Sequence, residues 1–146
     1  MNHLVKAIDA IAELGIMRPV DIDMSCEGLG AIQQLCHELA ARSGWWVEHD
    51  EMPEQYRKHF IGAKMALVHS EVSEALEGQR KGLMDSHLKH RTAEEVEIAD
   101  TIIRLLDIAG KRQLDVAGAI IEKLAYNQTR MDHKPENRAA EGGKGF

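Results

Sequence analysis

Apolar residues recur along this chain at the three- and four-residue spacing of α-helices, and no stretch alternates with period two for long enough to make a convincing strand. The pattern predicts an all-α fold. A short first helix covers residues 3 to 15 through Leu4, Ile8, Ile11 and Ala12, ending at Gly15. Residues 17 to 28 read as a connection, because Pro19 and two aspartates interrupt the periodicity. A second helix runs from about Leu29 to Ser43, with Ile32, Leu35, Cys36 and Leu39 on one face and Gly44 just past its end. Trp45 and Trp46 follow at once, and Glu48 to Pro53 reads as a polar loop. A long third helix starts at Pro53 or Glu54, carries Phe60, Ile61, Met65, Val68, Val72 and Leu76, and closes at Gly82. Thr92 and Glu95 have the form of a capping box, which starts a fourth helix that Gly110 ends. A fifth helix covers residues 114 to 130, with Val116, Ile120, Ile121 and Leu124 on its apolar side.

Acidic residues interrupt this pattern in two places. Glu71 and Glu74 stand three apart on the third helix, and Glu97 and Asp100 stand three apart on the fourth. Residues at that spacing share a helix face, so each repeat makes a carboxylate pair, and a tight hairpin could bring the pairs together. At about 100° per residue, Glu71 falls between Leu67 on one side and Val68 and Ala75 on the other, inside the apolar arc. The fourth helix is apolar over most of its circumference, and only a stripe of Glu97, Asp100, Arg104 and Asp107 breaks it. Its acids therefore face a partner or an internal site. Buried carboxylates need a cation, a partner or a proton. One isolated acidic pair is usually a solvated face; two pairs on neighbouring helices, one of them within an apolar arc, favour a magnesium site.

Composition narrows the classes. A length of 146 residues with 44% apolar content suits one globular domain. The net charge of −6 leaves no basic stripe for nucleic-acid phosphates, so no nucleic-acid partner is expected. Cys26 and Cys36 lack CxxC or zinc-ligand spacing and read as free thiols of a reducing compartment. Charges break the N-terminal apolar pattern too early for a signal peptide, and no uncharged run approaches a membrane span, so the expected location is cytoplasmic with no membrane partner. Gly28-Leu29-Gly30 lacks the third glycine of a dinucleotide loop because Gln33 occupies its place, and GxxxxGK[ST] is absent.

Further candidates lie outside the acids. Lys123, Asn127 and Arg130 follow a four-then-three spacing beside the apolar side of the fifth helix, a row whose donors suit triphosphate oxygens. Lys64 lies two turns before Glu71 on the same face. Trp46 reads either as part of a base-binding wall or as a core plug, the commoner outcome after a helix. His87 and His90 lack a third ligand nearby and read as exposed loop histidines. From Asp132 the chain is tail, ending Gly142-Gly143-Lys144-Gly145-Phe146, where Lys144 could close over an anion.

Taken together, Glu71/Glu74, Glu97/Asp100 with twenty-two residues between the pairs, and the Lys123, Asn127, Arg130 row resemble the MazG-like all-α nucleoside triphosphate pyrophosphohydrolases. That family has E-x-x-E and E-x-x-D motifs on successive helices, followed by a K-x-x-x-N-x-x-R row, and many members end in a glycine-glycine-lysine tail. The resemblance covers roughly residues 30 to 146. It implies a helical bundle of about four core helices plus a short N-terminal helix. Residues 1–28 would be an extension, 29–131 the pyrophosphohydrolase domain and 132–146 a Gly/Lys tail. It implies a homodimer or homotetramer that hydrolyses a (deoxy)nucleoside triphosphate to the monophosphate and pyrophosphate with Mg²⁺, or Mn²⁺ as a substitute. Glu71, Glu74, Glu97 and Asp100 would be the metal ligands and catalytic acids. Lys123, Asn127 and Arg130 would hold the phosphates, with Lys64, Trp46 and Lys144 as further substrate contacts.

Two other classes were weighed on the residues. A di-iron carboxylate bundle needs E-x-x-H pairs, and no Glu here has His three residues later. A non-catalytic helical interaction module would explain the apolar helices but leaves the acids within and between the apolar arcs unexplained.

Overall fold

The computed structural model describes residues 2–130, and all regular structure among them is helical apart from one isolated bridge between Met84 and Thr92. Six helices follow one another: α1 (His3–Ala12), α2 (Pro19–Arg42), α3 (Val47–Glu51), α4 (Glu54–Lys81), α5 (Ala93–Lys111) and α6 (Val116–Thr129). The C-terminal tail, including Lys144, lies outside the described residues. No helix among those described is long and apolar enough to cross a membrane.

Helix ends follow local chemistry. Asn2 caps α1 by accepting from the Leu4 N–H at 3.3 Å. Thr92 and Glu95 make the reciprocal capping box of α5, at 3.2 Å for Glu95 N–H to Thr92 Oγ1 and 3.0 Å for Thr92 N–H to Glu95 Oε2. At the end of α4, Gly82 adopts φ +61°, which lets the Leu83 N–H return to the Gly78 carbonyl at 3.1 Å.

Three sequence expectations are corrected. Residues 19 to 28 are not a connection but the first part of α2. Pro19 is the first helical residue, where its missing N–H has no helical partner to lose, and Asp21 in the first turn is held by Arg18 at 2.7 and 2.8 Å. Residues 47 to 51 form the short helix α3 instead of polar loop. Gly110 lies within α5, which runs on to Lys111, and the chain leaves through Gln113 at φ +54°. The glycine serves packing: a Cβ at position 110 would lie 2.5 Å from the Cβ of His37 on α2.

The chain divides into two compact units. One consists of the described parts of Met1–Gly30 and Asp115–Phe146; there α1 packs against α6, and Ala7, Ile8, Ile22 and Ile121 form the core with Leu4, Ile11 and Cys26 against them. Asp115 caps α6 by accepting from the Gly118 N–H at 2.9 Å. The other unit, Ala31–Leu114, is built on an antiparallel pair, α4 and α5. The two helices approach closely at Gly78, where a Cβ would lie 2.9 Å from that of Ala93. Trp46, Val68 and Ile108 form the core of this unit, with Ala40, Phe60 and Ile61 packed on it.

Candidate functional site

The α4–α5 pair decides where the acids go. One turn on each helix brings Glu71 of α4 beside Glu97 and Asp100 of α5, with one carboxylate oxygen from each lying within 4.8 Å of the others. Glu71 is buried, as its place in the apolar arc requires, and the other two are half-buried. Glu74 is exposed and is not one of the three that converge, yet its charge acts on Glu97. Burial pushes the Glu97 carboxyl above its ordinary value, and Glu74, a hydrogen bond with Glu71, and the charges of Glu71 and Asp100 all push the same way. Burial and neighbouring negative charge thus act together against the ionised form of Glu97.

Arg104, one turn beyond Asp100, brings a positive charge to the cluster: its Nη2 donates to Glu71 Oε1 at 2.9 Å. The guanidinium is partly exposed while the carboxylate is 9% exposed, so the pair stands at the edge of the interior. The sequence reading placed Arg104 in the polar stripe of α5 without assigning it to Glu71. Its spacing from Asp100 marks the face, but the partner on α4 depends on how the two helices are set against each other.

A cavity of about 530 Å³ lies alongside. Asp100 of the cluster belongs to its lining, as does Arg104, the ion-pair partner of Glu71. Trp45, Phe60, Leu67, Ile103 and Ile108 supply apolar wall, and Lys64 and Asp107 supply further polar groups. Trp45 is 67% exposed and lines this space, whereas Trp46 is 2% exposed and forms a core plug. Trp46 is thus the core plug that commonly follows a helix, and Trp45 is the tryptophan at the cavity. The indole of Trp46 would be costly to bury without an acceptor, and Asp107 provides one, with Nε1 donating to Oδ1 at 2.7 Å.

Asp107 is a hub that sequence reasoning noted only as part of a stripe. Besides Trp46, it meets His37 Nδ1 at 3.0 Å and Lys64 Nζ at 3.4 Å. Lys64 also lies 4.2 Å from the centroid of the Trp46 ring. Lys64 thus reaches the cavity as a cation tied to the interior.

The row on the last helix belongs to the other unit. Lys123 is exposed, with Nζ 4.7 Å over the Tyr126 ring. Asn127 buries its Oδ1 without a hydrogen-bond partner, and Arg130 is the C-cap of α6. His87 and His90 are exposed in the α4–α5 connection.

The carboxylates suit a hard divalent cation. Mg²⁺ takes oxygen ligands at about 2.0–2.1 Å and keeps several waters, so three protein oxygens on one side are chemically adequate. Comparison with protein-family models, curated proteins and solved structures found no match to this chain.

Proposed function

We propose that this protein is a Mg²⁺-dependent nucleoside triphosphate pyrophosphohydrolase of the MazG-like kind. The observation that carries the reading is the continuity of carboxylate cluster and cavity through Asp100 and Arg104. A nucleotide needs both kinds of surface, a charged end for its phosphates and an apolar pocket for its base, and a cavity of this size is in the usual range for small ligands.

In this reading Glu71, Glu97 and Asp100 would hold the metal, with Glu74 contributing from the next turn. When bound, Mg²⁺ would neutralise phosphate charge and lower the pKa of a coordinated water. One of these carboxylates would orient the attacking water through the oxygen it does not give to the metal. Arg104 can turn from Glu71 towards phosphate oxygens, because its guanidinium lines the cavity and remains partly exposed. Trp45 and Phe60 offer faces against which a base can stack, and Lys64 offers a donor to a base or sugar oxygen. Lys123, Asn127 and Arg130 stay a phosphate-binding row only as the family resemblance implies it, with the side-chain amide N–H of Asn127 as its donor. A nucleoside triphosphate panel with Mg²⁺ is the test. Stoichiometric pyrophosphate and monophosphate from at least one substrate is the expected result, and release of orthophosphate alone, or no turnover across the panel, overturns it.

The same reading includes self-association. Leu67, Val72 and Leu76 on α4 and Ile98, Ile102 and Ile103 on α5 are all about half exposed, although α5 is apolar around most of its circumference. Exposed apolar surface of that extent is characteristic of an interface, and a second copy of the same helices is the proposed cover. Sedimentation at micromolar concentration should show a dimer or tetramer. A single 16.3 kDa species would refute this part.

A further inference from the structure

Positive charge gathers at a second place in the Ala31–Leu114 unit, away from the carboxylates. Arg57 and Lys58 near the start of α4, Lys111 and Arg112 at the end of α5, and His49 of α3 line a cavity of about 410 Å³ together with Ile61. None of these residues lines the cavity beside Asp100. Four cations around one hollow are unusual in a chain of net charge −6.

Helix stability accounts for only part of the cluster. Lys111 stands at the negative end of the α5 dipole and is answered by Asp50, at 2.6 and 2.8 Å from its two carboxylate oxygens. Asp50 is held down to about 2 by Lys111 and His49 and so is anionic at neutral pH. Arg57 and Lys58, by contrast, lie near the positive end of the α4 dipole, where a cation gains nothing from the helix. Among the described residues, Arg57, Lys58 and Arg112 make no ion pair. Arg57 donates from Nη2 to the Asp50 carbonyl at a long 3.3 Å, and its Nε is buried without a hydrogen-bond partner. A buried guanidinium N–H without an acceptor is costly, so the Arg57 guanidinium is under-satisfied at the edge of the hollow it lines.

We propose that this cavity is an anion site that takes a phosphate group, free or esterified, through Arg57, Lys58 and Arg112. A phosphate dianion fits the donor set, because it offers several acceptor oxygens to planar guanidinium groups and to an ammonium at once. An open hollow of a few residues suits one such group; the extended basic stripe that a nucleic-acid backbone needs is missing from the lining.

Calorimetric titration with inorganic phosphate in EDTA, at constant ionic strength set with sodium chloride, tests the site without metal at the carboxylates. Saturable binding is expected for the wild type. The double variant Lys58→Gln/Arg112→Gln changes two exposed side chains, so it should fold normally and bind phosphate at least tenfold more weakly. Glu97→Gln should bind it as the wild type does, which separates this site from the proposed nucleotide site. A parallel titration with a nucleoside monophosphate tells the two sources apart: tighter binding of either supports the site. Absence of saturable binding of both, or equal binding by the double variant, overturns the proposal.

Discussion

Replacing Glu97 with Gln should raise the melting temperature in EDTA and lower pyrophosphate release by about 100-fold or more, a size typical of losing one group that stabilises charge at the reacting centre. The two effects have one cause. Like charges 4 Å apart repel by roughly 1 kcal/mol in water and about 4 kcal/mol at the effective dielectric of a protein surface. Burial acts most strongly on Glu97, and the charges of Glu74, Glu71 and Asp100 add to it. The amide keeps the shape of the side chain and removes the charge.

The pH dependence follows with a definite sign. Because the Glu97 carboxyl lies above its ordinary value in the folded protein, the native state binds the extra proton between the unfolded value and the raised one. In EDTA the contribution of this group to stability is therefore greatest at low pH and is lost as pH rises through that window. Glu97→Gln should abolish this part of the dependence, and Mg²⁺ should suppress it in the wild type. A variant that keeps full turnover and the wild-type Mg²⁺ stabilisation would remove Glu97 from the metal site.

Asp107→Ala should produce the largest loss of stability, about 3 kcal/mol, as expected for removing the shared partner of buried polar groups. Its carboxylate is buried and serves Trp46, His37 and Lys64 at once. Truncation leaves the indole N–H inside the core without an acceptor and leaves the Lys64 ammonium, 17% exposed, without its counter-charge. For a chain of this length the loss corresponds to a fall in melting temperature of roughly 10 °C. Asp107→Asn retains an oxygen for Trp46 and should lose less than half as much. Thermal melts of both variants check the ordering, and equal melting temperatures for Asp107→Ala and the wild type would show that the hub contributes no stability.

Much of the fold and part of the site follow from local rules that need no partner. Thr92 with Glu95, Gly82 after a basic last turn, and the spacing of apolar residues define α4 and the start of α5 because caps and helix faces depend on residues three and four apart. The burial of Glu71 belongs to the same class, since its neighbours around the helix are apolar whatever the helix packs against. Pro19 misled because proline breaks a helix everywhere except at its first position, and only the course of the chain beyond Arg18 shows which case holds. Gly110 misled in the same way, since a glycine near a helix end can be a terminator or a contact point, and the proximity of His37 decides. The pairing of Arg104 with Glu71, the hub at Asp107 and the place of Trp45 at the cavity were not legible at all. Each depends on the rotation and axial offset of one helix against another. Helical periodicity determines which face a side chain occupies, and only the packed structure determines what that face meets.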